Sequence, residues 1–265
     1  MASLIKNKLK SLNLRAQKSK GQNFLYDKEA IYSIVEFGEP EGRVVEIGPG
    51  LGALTEILLE KVDNLEVIEL EEKFCTELSS KFGSRLTIYN EDATKFFPEG
   101  ENIVAFGNLP YSRSTEIILH LLANRTALKR GTFLLQKEFS ERLAARPNTK
   151  AYGSLSIAVQ VWCDTRLGPI ISGDKFHPKA NVMSQVIRLD FRKEPKIIIP
   201  KNFERIVRAS FNQRRKKLFN SLLSSGYERS VIETALNKAE IDGSRRAETL
   251  TIEEFGRLAL GFLRE

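Results

Sequence analysis

Two hydrophobic periods take turns along this chain. Short β-branched or aromatic runs end in Gly, Asn or an acidic residue, and most lead into segments with apolar positions at helical spacing. The first run, about Arg43–Ile47, precedes a predicted helix over about Ala53–Lys61. Glu66–Ile68 is followed by a helix near Glu72–Lys81, and Asn102–Phe106 by one over about Ser114–Ala123, with a further strand at Arg85–Tyr89 between them. Gly131–Gln136 reads as the fifth strand, and late strands near Leu167–Ile171 and Gln185–Phe191 bring the number to seven. Strands alternating with helices predict βαβ units and an α/β fold with a mostly parallel sheet. Ahead of these lie a polar–aromatic turn, Gly21-Gln22-Asn23-Phe24-Leu25, and a helix at Glu29–Phe37. Glu138–Ala145 and Ser154–Trp162 read as helices, although the second is too continuously apolar for its period to decide.

The alternation stops at Arg192-Lys193-Glu194-Pro195 and Pro200. Beyond that point only helical patterning remains: Phe203–Phe211, Lys216–Ser224, Ser230–Lys238 and Ile252–Leu263. The expected organisation is a basic flexible N-terminal tail over 1–20, an α/β domain over 21–200 and a small all-α domain over 201–265. No run approaches the roughly 18–20 apolar residues of a membrane span, and residues 1–20 lack the apolar segment of a signal peptide. Cys75 and Cys163, with His120 and His177, give neither a disulfide framework nor metal-ligand spacing. A cytoplasmic monomer with no metal and no membrane partner is the expectation.

Charge changes the picture more than composition does. The net charge of +7 is unevenly spread: residues 1–20 carry six Lys/Arg and no acid, residues 21–200 carry 22 against 25, and residues 201–265 carry 13 against 9. Positive charge at both ends around a mildly acidic middle is the footprint of a polyanion binder, and a solvated lysine-rich tail gives the same count. Arg214-Arg215-Lys216-Lys217 is the densest basic run.

The candidate chemistry begins at Glu46-Ile47-Gly48-Pro49-Gly50-Leu51-Gly52. A strand, a glycine turn and a helix in that order open a nucleotide crevice at the carboxyl ends of a parallel sheet. Glu69 ends the next strand about 20 residues on, where a ribose-binding carboxylate belongs. Gly48-x-Gly50-x-x-Ala53 also satisfies the dinucleotide fingerprint of dehydrogenases. Pro49, which removes a backbone N–H, and the negative charge of Glu46 suit a cationic, phosphate-free ligand such as S-adenosylmethionine better. Both readings stand at this point.

Asn108-Leu109-Pro110-Tyr111 falls at the end of the fourth strand. The lone pair of an exocyclic purine amine is delocalised, which makes it a poor nucleophile. The Asn108 side-chain oxygen and the Leu109 carbonyl can both accept from such an amine and favour a pyramidal nitrogen, while Tyr111 stacks on the base. A strand-ending turn accounts for the same tetrapeptide. Asp92, after the third strand, suits an acceptor for the cofactor's adenine amine and equally suits a helix N-cap. Asn23 can serve a turn.

In order along the chain, Gln22-Asn23-Phe24-Leu25, Glu46–Gly52, Val67-Ile68-Glu69, Asp92-Ala93, Gly107-Asn108-Leu109-Pro110-Tyr111 and Ser114-Thr115 resemble the ribosomal RNA adenine dimethyltransferase family. Leu135-Gln136-Lys137-Glu138, Lys150-Ala151-Tyr152-Gly153, Phe211–Lys216 and Arg246-Ala247-Glu248 look like its small-subunit (16S) branch. The resemblance spans about residues 18–262. It implies a Rossmann-like class I methyltransferase fold and N6-dimethylation of two adjacent adenosines in a hairpin loop near the 3′ end of 16S rRNA, within the small subunit or its precursor. S-adenosylmethionine would be held by Asn23, Leu25, Gly48, Glu69, Asp92 and Asn108. Asn108, Leu109, Pro110 and Tyr111 would orient the target base, and Phe176 would face Tyr111 across it.

Two places depart from the family pattern. Lys179-Ala180-Asn181-Val182-Met183-Ser184 lacks the usual further prolines and the Lys-Val-Asp-Ser tetrad, and Ser112-Arg113 replaces the commoner Asn-Ile, with Arg113 a candidate phosphate contact. Three other readings remain: the 23S rRNA adenine methyltransferases, a small-subunit assembly factor whose binding outweighs its chemistry, and a dehydrogenase.

Overall fold

The structure, a computed structural model, describes residues 2–14 and 23–263, the Ala2 side chain excepted. It divides into two compact units, one formed by Met1–Ser140 with Asp164–Phe191 and the other by Glu141–Cys163 with Arg192–Glu265.

Among the described residues, the first unit carries nine strands and five α-helices. The strands are β1 (Phe24–Leu25), β2 (Val44–Ile47), β3 (Leu65–Ile68), β4 (Leu86–Tyr89), β5 (Ile103–Asn108), β6 (Leu128–Gln136), β7 (Cys163–Ile171), β8 (Phe176–His177) and β9 (Ser184–Phe191). The helices are α1 (Ala2–Ser11), α2 (Lys28–Gly38), α3 (Ala53–Leu58), α4 (Glu72–Phe82) and α5 (Ser114–Ala123). Seven strands form one sheet in the order β4-β3-β2-β5-β6-β9-β7. The β2 pairings to β3 and β5 are parallel, as are β3 to β4 and β5 to β6; β9 runs antiparallel to β6 from Arg130↔Asp190 to Gln136↔Ser184.

This is the seven-stranded, mostly parallel sheet that the alternation predicts. Every residue of β2 is buried, and Ile103 to Gly107 of β5 are too, because helices cover both faces of a central parallel strand. Val44, Val104, Phe106 and Leu134 meet Ile34, Val35 and Leu58 in its core. The order reverses at β2, whose neighbours β3 and β5 both follow it in sequence. A crevice therefore opens at the carboxyl ends of these strands.

Two features of this unit differ from expectation. Residues 2–11, assigned to a flexible tail, form α1. Leu9 is buried, and Lys8 pairs with Glu77 at 2.5 Å; Leu4, Ile5, Leu9 and Leu12 already recur at near-helical spacing in the sequence. The remainder of that tail, with Arg15, Lys18 and Lys20, lies outside the described residues, as do Gly21 and Gln22 of the predicted turn. The end of that turn is β1, which pairs antiparallel with β8 through Phe24↔His177 and Leu25↔Phe176. Two-residue strands are too short to show a period.

The second unit is helical: α6 (Lys137–Leu143), which starts in the first unit, then α7 (Ser154–Gln160), α8 (Phe203–Phe211), α9 (Leu218–Ser224), α10 (Arg229–Ala239) and α11 (Ile252–Gly261). It is larger than the expected 201–265. Tyr152, Ile157 and Val161 are buried in one core with Phe203, Leu222 and Phe255, so the apolar run around α7 has its partners about 50 residues downstream. At α11, Thr251 and Glu254 form a reciprocal capping box, and Arg245 sets its guanidinium fork on Glu254. Arg214–Lys217 fall in the turn between α8 and α9. Arg214 is tied to Glu248 at 3.1 Å, while Arg215, Lys216 and Lys217 are exposed. Among the described residues, no helix is long and apolar enough to cross a membrane, and no His/Cys/Asp/Glu cluster could hold a metal ion.

Candidate active site

A cavity of about 680 Å³ occupies the crevice at the carboxyl ends of the sheet. That lies within the range of small-molecule sites. Of the expected site residues, Asn23, Leu25, Gly48, Glu69, Asp92 and Asn108 line it, and so do Leu109, Pro110 and Tyr111. Residues as far apart in sequence as Asn23 and Tyr111 thus line one cavity.

The glycine turn forms the floor. Gly48, Gly50 and Gly52 all have positive φ, at 68°, 55° and 78°, a region open to glycine at little cost. A Cβ on Gly48 would meet no atom within 4 Å, whereas one on Gly52 would stand 2.8 Å from Leu78 Cδ2. Gly48 therefore offers bare backbone to a ligand, and Gly52 lets α3 approach α4.

Glu69, at the end of β3, is buried. Its Oε2 accepts from the Gly50 N–H at 3.0 Å and its Oε1 from the Glu71 N–H at 2.9 Å. Burial raises its pKa against the pull of those two N–H groups. Each oxygen retains acceptor capacity beyond these bonds, which suits a vicinal diol.

Glu46 does not act as the sequence suggests. It is 1% exposed on β2, and the Thr55 hydroxyl donates to its Oε2 at 2.6 Å. Burial pushes its pKa up to about 8, so at pH 7 the side chain is mostly a neutral acid. It sets no negative charge against a phosphate. Pro49 still withholds its donor from the loop, so the lean away from a dinucleotide rests on that residue.

Asn108 ends β5, and its Nδ2 donates to the Asn23 carbonyl at 2.9 Å. That bond orients the amide and assigns its Oδ1 as the acceptor. The Leu109 N–H is held by the Leu134 carbonyl at 3.2 Å, and the Pro110 carbonyl accepts from the Arg113 N–H and the Ser114 hydroxyl, each at 3.0 Å. The tetrapeptide is thus anchored at both ends. The Tyr111 hydroxyl lies 2.5 Å from Ser184 Oγ, and burial raises its pKa, so the ring is neutral and pinned at its far edge. Sequence reading missed this tie, although Ser184 ends the atypical loop.

Phe176 is not brought to the cavity. It is 2% exposed, opposite Leu25 in the small sheet, and packs in the core that holds Ile171 and Ala180. Strand pairing to β1 fixes its direction, a constraint that the Phe-His-Pro motif alone does not reveal. Two further sets of lining residues escaped sequence reading. Leu4, Ile5 and Lys8 come from α1, and Leu70, 61% exposed, follows Glu69.

A doubly wound sheet whose crevice carries a glycine turn, a strand-end glutamate and an Asn-Leu-Pro-Tyr wall is a class I methyltransferase of Rossmann-like fold. A family model described as ribosomal RNA adenine dimethylase matches residues 13–260, and the chain belongs to that family. It is 41% identical over 253 residues to the ribosomal RNA small subunit methyltransferase A of Clostridium botulinum, covering 91% of this chain and 92% of that protein. Among solved structures, it resembles a dimethyladenosine transferase from Plasmodium falciparum (TM-score 0.78, 22% identity, 90% and 97% of the two chains). It also resembles the 23S rRNA methyltransferase ErmE (TM-score 0.70, 26% identity, 91% and 99%).

Proposed function

We propose that this protein uses S-adenosylmethionine to dimethylate N6 of two adjacent adenosines in a hairpin loop near the 3′ end of 16S rRNA, as the small subunit matures in the cytoplasm. The observation that carries this reading is the convergence of Asn108, Tyr111, Glu69 and Asp92 on one cavity. Its residues fit the donor. The open backbone at Gly48, the acceptor pair of Glu69 and the Asp92 carboxylate match a nucleoside with a hydroxylated ribose and an amine-bearing base. The bound donor would supply an electrophilic methyl group on a sulfonium.

The chain's own residues then do the rest. Asn108 Oδ1 and the Leu109 carbonyl accept from the target amine and turn its lone pair away from the ring. Tyr111 offers an aromatic face to the base, which must leave its stack to enter. No strong base is needed at N6, because the nitrogen becomes acidic once alkylated and gives up its proton afterwards. Placement supplies most of the rate. The exposed Arg215, Lys216 and Lys217 supply sequence-independent attraction to phosphate.

Greater identity to a small-subunit enzyme (41%) than to a 23S enzyme (26%) favours the 16S substrate. Labelled methyl transfer from S-adenosylmethionine to small subunits lacking the modification, compared with protein-free 23S rRNA, tests the choice. Label in the small subunit supports the proposal, and label in 23S rRNA alone overturns it. Tight binding to the subunit without transfer would assign the protein to assembly.

A further inference from the structure

One carboxyl at the cavity takes no part in the proposed chemistry. Glu46 lies on β2 just before the glycine turn, borders the cavity and is 1% exposed. The Thr55 hydroxyl donates to its Oε2 at 2.6 Å, and no Lys or Arg pairs with it among the described residues. A buried acid without a cation thus borders a space that suits a cationic ligand.

A buried carboxylate keeps its charge when a cation or several N–H groups hold it. The elements around β2 give Glu46 neither. Glu69, at the end of β3, adds repulsion and is itself held by two main-chain N–H groups. On β3, Glu66 is taken up by Arg43 and Tyr89, and on α3, Glu56 by Lys81. β5 brings no titratable side chain, and on α4 burial pushes the Cys75 thiol up to about 11. Across the cavity, Asp92 is turned onto Arg113 at 3.1 Å. Glu46 is therefore the buried carboxyl with least to hold its charge, and burial lifts it to about 8. Such a group changes state most readily when a positive charge arrives beside it.

We infer that Glu46 tells the cationic donor from its neutral product. Its carboxyl gives up a proton to solvent when a sulfonium occupies the cavity, and takes one back when methyl transfer has left the sulfur neutral. This deepens the proposed use of S-adenosylmethionine and rests on it. Opposite charges attract more strongly in a site of low dielectric than in water, so the donor is held and the product is let go. The empty site carries the extra proton, so donor affinity rises with pH as that proton becomes easier to lose. The rise levels above about 8, where the carboxyl of the empty site is already ionised. Product affinity lacks it.

Calorimetric titration of the full chain with S-adenosylmethionine and with S-adenosylhomocysteine, in buffers of different ionisation enthalpy, counts the protons exchanged. At pH 7 the wild type is expected to release about half a proton more with the donor than with the product. Its preference for the donor should grow about 3–10-fold from pH 6 to pH 8. Glu46→Gln keeps the shape of the side chain and loses both differences, apart from the titration of the ligands' own amino groups. Thr55→Val removes the hydrogen bond that favours the ionised form and moves the rise to higher pH. Equal proton counts for the two ligands in the wild type overturn the inference and leave the donor standing, as does an excess that survives in Glu46→Gln. Should Glu46→Gln not fold, the Thr55→Val shift decides, and its absence overturns the inference. Binding of neither ligand refutes the donor itself and the inference with it.

Discussion

The Asn108 amide nitrogen donates to the main-chain oxygen of Asn23 at 2.9 Å, across 85 residues of sequence. One end of the side chain is thereby committed to structure, and its oxygen is left as the acceptor that the proposed reaction uses. This bond couples the segment leading into β1 to the end of β5.

Asn108→Ala removes both functions, and methyl transfer is expected to fall at least about 100-fold, as when one acceptor or donor is taken from a preorganised polar site. Folding loses only about 1 kcal/mol for the bond to Asn23. Single-turnover assays beside thermal unfolding separate the two effects. Near-normal transfer would remove Asn108 from the chemistry.

Ser184 is buried and meets the Tyr111 hydroxyl at 2.5 Å. Ser184→Ala and Tyr111→Phe should each slow transfer about 3–10-fold, the kinetic equivalent of about 1 kcal/mol. The double variant should be no slower than either single one, since both remove the same bond. Additive losses would show that the two residues act separately.

Glu69→Gln keeps the shape of the side chain but leaves one oxygen where two now accept from Gly50 and Glu71. Affinity for S-adenosylhomocysteine should drop about 10–100-fold, with thermal stability little changed. Calorimetry reads this directly, and unchanged affinity would place the ribose elsewhere.

Glu46 makes stability depend on pH. Its carboxyl titrates near the usual 4.5 when unfolded and at about 8 when folded, through burial. Between those values the folded state holds more protons, so stability is full below the lower pKa and falls as pH rises, levelling above the higher one. The slope is at most about 1.4 kcal/mol per pH unit. Glu46→Gln lacks this loss, so its stability relative to wild type should improve by about 2–3 kcal/mol between pH 6 and pH 8.5 in urea unfolding. A constant difference would mean that Glu46 is ionised throughout.

The sheet was legible because Val44–Ile47 and Ile103–Phe106 are apolar runs bounded by turn residues, and because each helix after a strand has its own period. The glycine turn, Glu69 and Asn108–Tyr111 were legible for another reason. They stand at strand ends, where a parallel sheet gathers its loops. The rest depended on contacts with no local signature. Phe176 is turned into the core by a two-residue strand, and Glu46 is neutralised by burial that a one-dimensional pattern does not show. Arg113 reads as a surface cation until Asp92, 21 positions away, is seen beside it.

The most direct test of the central claim is mass-spectrometric nucleoside mapping of the 3′ hairpin of 16S rRNA, recovered from unmodified small subunits after reaction with the protein and S-adenosylmethionine. N6,N6-dimethyladenosine at both adjacent positions, absent when Asn108→Ala replaces the wild type, is the predicted result. Methyl groups on any other atom or strand, or the same product from the Asn108→Ala protein, would contradict the account.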